Sequence, residues 1–282
     1  MNVQYSHQLV TSFYLWFDHM LLEKAEAYEN KTGYFYGYDD MKLPSNSVYG
    51  APNPQFVYDN SITGANQISG VYDSSLNFVG RGTSGLKIDY NNGRAIFDNG
   101  NDGLAVSGAY ATKDFNTYLS PRKEEFLFEE AFNVAEEKVN RGVSYVPPYK
   151  IVAPCAIVKY NVSEENEPFA FGGEDWTKSS IKVIFLSDNY YKLNGAMSAM
   201  KDRNHTCFAN ITDWSDLPLN YYGDLKTGYY NYNDLAAKYS SDKIYVEKVF
   251  SSQILEGYTV QDDTFYVGYL DFDVGKPRFP RQ

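Results

Sequence analysis

The sequence predicts an α+β protein in three parts. Residues 1–43 form an N-terminal helix and arm packed on the main domain. Residues 44–120 form a β-rich accessory domain, and residues 121–282 an α+β domain with its helices on one face of the sheet. Three observations carry this reading. Leu9, Phe13, Trp16, Phe17 and Met20 recur at three- and four-residue spacing. Alternating runs flank Asn91-Asn92-Gly93. After Ser120-Pro121 a helical run is followed by a β-β-α-β-β order.

The first helix is predicted over Gln8 to Tyr28, with Lys31-Thr32-Gly33 ending it. Gly33 to Thr83 is rich in Tyr, Asn, Gly and Ser and broken by Pro44, Pro52 and Pro54, which reads as short strands and loops. Leu86, Ile88 and Tyr90 then alternate with Lys87 and Asp89, and Ala95 and Phe97 alternate with Arg94, Ile96 and Asp98. Asn91-Asn92-Gly93 between them is a hairpin turn, because Asn and Gly accept a positive φ. Further runs at 106–112 and 115–119 complete what reads as an antiparallel meander.

Ser120 suits an N-cap and Pro121 a first helical position, so a second helix is predicted from there, with acids in its early turns and Gly142 as its stop. Strands follow at 151–162, where Pro154 suggests an edge or bulge, and at 180–186, after a loop containing Gly172-Gly173. A helix is predicted over Asp188 to Asp202 with Tyr191, Leu193, Met197 and Met200 inward. Cys207 to Tyr239 reads as a tyrosine-rich insertion with a short helix near Leu235. The last two strands are Lys243 to Phe250 and Phe265 to Val274. Pro277 and Pro280 are expected to stop the final strand and hold the basic tail Gly275 to Gln282 extended.

Composition narrows the function. The chain has 282 residues, a net charge of −11 and 22% charged residues, which excludes a binder that works by neutralising phosphates. Aromatics reach 17%, with 27 Tyr and 18 Phe. Tyrosine suits a surface that is wet before assembly and buried after it. Cys155 and Cys207 make no disulfide framework and read as reduced thiols. Met1 to Ser6 lacks the basic start of a signal peptide, and Asp18 and His19 interrupt the apolar run, so neither a leader nor a membrane span is expected.

No spacing converges reactive groups, and no catalytic residue, metal site or cofactor is expected. Gly80-Arg81-Gly82-Thr83-Ser84-Gly85 matches G-x-G-x-x-G, but a dinucleotide loop needs a helix after it and here a strand follows. His7, His19 and His205 have no ligand spacing, and His205 with Cys207 is too close in sequence for a nucleophile pair. The pairs Glu124-Glu125, Glu129-Glu130 and Glu136-Glu137 point about 100° apart on their helix and form a solvated face. Asp39-Asp40, Asp262-Asp263, Asp271 and Asp273 read as solvated loop or strand acids unless the fold gathers them.

The run IDYNNGRAIFDNG, followed by VSGAYATKDFNTYL, resembles a strand–turn–strand cassette of tailed-bacteriophage virion structural proteins. The β-β-α-β-β order resembles, in topology alone, the tail-terminator and tail-completion proteins of long-tailed phages. The extra β-rich part departs from that pattern. The resemblance implies a non-enzymatic neck, tail-terminator or head-to-tail connector subunit. Such a subunit would form a ring with itself, sixfold being the expected order, and contact other neck, tail or portal-proximal proteins in a virion assembled in the host cytoplasm. DNA would pass without specific binding. The expected assembly residues are Phe13 and Trp16 on the first helix and Arg278, Phe279 and Arg281 in the tail. Two alternatives remain: a capsid decoration or collar-fibre protein, and a glycan-binding or glycan-cleaving module using Trp176 and Trp214 as stacking platforms.

Overall fold

Two β-sheets clasp a helix that is buried on almost every side. The computed structural model describes residues 5–83, 85–98, 106–141, 149–159, 163–170, 173–260 and 263–279. Ser84, Gly142, Gly172, Asp262, Pro280 and Arg281, each given a role or place by the sequence, lie outside the described residues, as do the side chains of Glu136 and Glu137.

In chain order the elements are α1 (Tyr5–Lys24), β1 (Tyr28–Tyr38), β2 (Ser47–Gly50), β3 (Gly70–Tyr72), β4 (Phe78–Gly80), β5 (Leu86–Asp89), β6 (Arg94–Phe97), β7 (Val106–Lys113) and β8 (Asn116–Ser120). Then come α2 (Glu124–Arg141), β9 (Cys155–Lys159), β10 (Ser163–Ala170), β11 (Glu174–Ser187), α3 (Tyr190–Lys201), β12 (Cys207–Ala209), α4 (Tyr232–Lys238), β13 (Lys243–Val260) and β14 (Asp263–Arg278). The first sheet has the order β4-β3-β7-β1-β2-β6-β5. The second has the order β12-β13-β14-β11-β9-β8, with β10 also pairing β11. The fold is α+β, as the sequence predicts.

Helix α1 forms where its spacing predicts but ends earlier, at Lys24. Glu26 takes a φ of 49°, which a helix cannot continue through. The next residues, expected to be helix end and loop, form the eleven-residue strand β1. Tyr34, Phe35 and Tyr36 put aromatics on both faces of that strand, so no period-two alternation marks it. Phe13 stacks on Phe17 and meets Phe208 and Phe272 edge-on, with centroids 5.0–5.9 Å apart. Trp16 stacks on Phe208 at 5.2 Å. One apolar cluster contains these rings together with Phe35, Tyr49 and Tyr110 of the first sheet and Ile181 and Phe185 of the second.

The second sheet is covered on both faces, not on one. Ile181, Val183 and Phe185 face the cluster shared with α1 and α3. Ile184 and Leu186 face the opposite way, onto Leu127 and Ala131 of α2. From Val183 to Leu186 the strand is buried on both faces and shows no polar side, whereas Lys182 beside that run still reaches solvent and Glu124.

The hairpin turn is where it was expected. Asp89 pairs Arg94 across it, and Gly93 has a φ of 61°. The meander is not. β6 pairs β2, β7 crosses to the other side of β1, and β8 leaves for the second sheet, where it runs parallel to β9. Alternation identifies strands but not their neighbours. The boundaries at 43/44 and 120/121 therefore cut through both sheets. Helix α2 begins at Glu124, not at Pro121, because Ser120 closes β8 and its hydroxyl accepts from the Arg122 amide. Pro154 precedes β9, an inner strand between β11 and β8, and marks neither an edge nor a bulge. α3 forms behind an Asn189 N-cap and buries Leu193, Met197 and Met200, while Tyr191 points out to solvent. β14 continues through Pro277 to Arg278, against expectation. Its pairing with β13 ends at Gly275, opposite Tyr245, so the proline nitrogen needs no bond on that side.

A Cβ at Gly93 would overlap the Asn53 carbonyl in addition to requiring a left-handed backbone. Gly93→Val is expected to cost about 3 kcal/mol or more. Since both sheets share one core, chemical denaturation should show a single transition at a lower midpoint. A midpoint equal to the parent's contradicts the turn's role, and a second transition contradicts the shared core.

Candidate assembly surfaces

The five expected assembly residues do not come together. Phe13 and Trp16 are 0% and 2% exposed, packed inside this chain and unable to reach a neighbour. Their large rings are needed to fill the space between α1 and the second sheet. Arg278 lies in β14 with its guanidinium 3.6 Å from the centroid of the Tyr5 ring, so it anchors the start of α1. Phe279 is exposed. Arg281 lies outside the described residues.

An aromatic surface that sequence reasoning missed lies on the outer face of the first sheet. Tyr34 of β1 stands opposite Ser107 of β7, Ser107 opposite Tyr72 of β3, and Tyr72 opposite Phe78 of β4. Directly opposed residues share a face. Tyr34 is 67% exposed, and Tyr36, Tyr72 and Phe78 are exposed with it; the Tyr72 and Phe78 rings lie 5.3 Å apart. The opposite face of these strands carries Phe35, Val71, Val106 and Tyr110 into the core. The signal in the sequence is Tyr34-Phe35-Tyr36, where one ring is needed inside and two are not.

Beyond Tyr36, towards β2, β6 and β5, that outer face is closed by charge. Arg94 Nε and Nη2 donate to Asp89 Oδ2 at 3.0 and 2.6 Å, and Nη1 donates to Asp40 and to the Tyr38 hydroxyl. The Tyr149 hydroxyl accepts from Arg94 and donates to Asp40 at 2.8 Å. Burial works against the charged forms. Asp89 and the Tyr38 hydroxyl nevertheless hold the guanidinium pKa above its usual range, and the hydrogen bonds from Lys42 and Tyr149 together with Arg94 hold the Asp40 carboxyl below its own. Asp40, expected to be solvated, is thus a buried counter-ion. The adjoining cleft, about 240 Å³, is lined by Asn91, Asn92, Tyr149, Tyr221 and Tyr222.

One buried constellation contains the residue types of a nucleophilic triad. His19 Nδ1 lies 2.7 Å from Asp59 Oδ2 and 3.3 Å from Ser61 Oγ, and Ser61 Oγ donates to Asp59 Oδ1 at 2.7 Å. A relay needs acid and hydroxyl on different ring nitrogens. Here both meet Nδ1, while Nε2 lies 3.3 Å from Glu23 Oε2, off the line of a hydrogen bond. The His19 ring also stacks on Tyr232 at 4.5 Å, and Asp59 accepts from the Tyr232 amide. The group therefore fastens α1, the 59–61 turn and α4 to one another.

The remaining candidates stay apart. His205 sits in an exposed turn with a φ of 59°, and Cys207 is exposed at the start of β12. Cys155 is fully buried, and burial pushes its thiol pKa up. Trp176 is flanked by Phe169 and Tyr245 and donates to Glu247 at 2.5 Å. Trp214 is half exposed in a short 3-10 turn. Glu124 faces Lys182, and Glu130 pairs with Arg122. The Gly80 loop joins strands β4 and β5. Among the described residues, no three His, Cys, Asp or Glu side chains gather as a metal site, and no helix is long and apolar enough to cross a membrane. No protein-family model matches the chain, and no curated protein matches it.

Burial raises the Asp59 pKa. The bonds from His19, the Ser61 hydroxyl and the Ser61 and Tyr232 amides outweigh it, so the carboxyl is held below its usual range. The stability this contributes is present above the unfolded value of about 3.9 and is lost as pH falls through the lower folded value. Asp59→Asn should therefore flatten the loss of stability between about pH 5 and pH 2. Equal acid slopes for parent and variant contradict the assignment.

Proposed function

We propose that this chain is a non-enzymatic structural subunit of a tailed-phage virion, placed in the neck as a tail-terminator or head-to-tail connector, where copies close a ring around the DNA channel. The observation that carries the reading is the row Tyr34, Tyr72 and Phe78, with Tyr36 beside it, exposed on one sheet face. A monomer gains nothing by leaving four large rings in water, whereas an assembly gains about 25 cal/mol for each Å² of apolar surface it covers.

Two further points support it. The polar clusters that could have carried chemistry serve as fasteners between elements. The net charge of −11 suits a wall past which DNA slides without sticking. The placement in the neck rests on the IDYNNGRAIFDNG resemblance and on the element order of the second half.

Particles of the parent phage, purified on a density gradient, test the reading. Mass spectrometry should find the chain in several copies per particle, and particle imaging should place it at the head–tail junction. A chain found only in the soluble lysate, or in one copy per particle, would contradict it.

A further inference from the structure

The second sheet ends in two edges of opposite charge. On one side is β10, which pairs β11 and has no backbone partner on its outer side among the described residues. It exposes Glu164, Glu165 and Glu167. Lys178 of the neighbouring strand pairs with Glu167 and stands opposite Glu165, one cation against three acids. On the far side, β12 and the turn at 203–206 form the edge along β13: Cys207 stands opposite Tyr245, and the His205 amide donates to the Val246 carbonyl. That side carries Lys201, Arg203, Lys243 and Lys248. Arg203 Nε has no hydrogen-bond partner among the described residues. Of the acids there, Asp202 is exposed and Asp273 stands opposite Lys248 in the register. Asp242 is held by Lys276 and Asn210, and Glu247 by Trp176.

The register places the two charged edges at the same height. One row of the sheet runs Ser163, Ser180, Asp273, Lys248. The row two β10 residues further in, past a bulge in β13 between Val246 and Lys248, runs Glu165, Lys178, Gly275, Tyr245, Cys207. A second copy displaced sideways along the sheet without slip therefore brings its cations level with the acids of the first.

We infer that the acidic β10 edge of one copy packs against the basic β12–β13 edge of the next, head to tail, and that this contact is the one repeated around the ring. The inference rests on the assembly reading above and names its partner surface. A heterologous contact of this kind closes when its rotation divides a circle. The charges and Pro168 on β10 block indiscriminate strand pairing, so only a basic edge is admitted. Electrostatic complementarity also selects register and suppresses like-charged partners.

Charge reversal of each edge tests this in the full chain. One variant carries Glu164→Lys, Glu165→Lys and Glu167→Lys; the other carries Lys243→Glu and Lys248→Glu. Each should self-associate at least about tenfold more weakly than the parent in sedimentation experiments. An equimolar mixture should recover association, because one variant then has two basic edges and the other two acidic ones. Should a reversed variant fail to fold, the Gln replacements of the three glutamates must weaken association and reduce its salt dependence. A parent that stays monomeric at the highest attainable concentration overturns the inference. So does a reversed pair that associates like the parent, or a mixture that does not recover. If the reversed variants behave as expected but the chain is missing from particles, the virion reading fails and this interface stands. If rings form in particles and ignore the reversals, this interface alone fails.

Discussion

A buried charge on the central helix is the constraint on which the rest of the molecule depends. Asp18 of α1 is almost fully enclosed, and Lys113 Nζ meets it at 2.6 Å. Lys113 is the last residue of β7 in the first sheet, and Thr117, which also donates to Asp18, lies in β8 of the second. The chain therefore changes sheets around one ion pair. Gln55 completes the site: its side-chain amide donates to the Thr117 carbonyl and accepts from the Thr117 amide, standing in for a neighbouring strand at the open side of β8. Charges so buried survive only when fully paired, and losing one partner of such a pair typically costs about 3–5 kcal/mol. The node thus fixes which way β8 leaves the first sheet, and with it the relation of both sheets to α1.

Much of this was beyond local reading. The spacing of Leu9, Phe13, Trp16 and Phe17 shows a helix, and Asn91-Asn92-Gly93 shows a turn, because both depend on neighbours in sequence. That Asp18 and His19 are buried depends on Lys113 and Asp59, which lie 95 and 40 residues away. A polar residue on a helix reads as its wet face unless the partner is known. Strand β1 was hidden for the opposite reason, since its aromatics occupy both faces. The tail misled because a proline forbids only a bond that the register there does not ask for. For the candidate surfaces, Phe13 and Trp16 were large enough to suggest an interface and proved to be core. Tyr34, Tyr72 and Phe78 lie far apart in sequence and come into line only through the register of β1, β7, β3 and β4.

The same economy shapes the exterior. Among the described residues, α1 packs into the core and α2 and α3 lie on opposite faces of the second sheet, where they cover this chain's own strands. The aromatic outer face of the first sheet and the charged edges of the second stay uncovered. A face of rings and a pair of oppositely charged edges are different kinds of surface. The first gains from desolvation whatever lies against it, and the second chooses partner and register. The assembly proposed above would use both.

The two sheets must open together, because one core and one buried ion pair hold them. Native-state hydrogen exchange tests this most directly. The slowest amides of β1 and β7 in the first sheet and of β11 and β14 in the second should share one opening free energy, equal to that of global unfolding, and should fall together as denaturant is added. First-sheet amides that exchange through an opening of lower free energy, while the second sheet remains protected, would show two independent units and contradict the account.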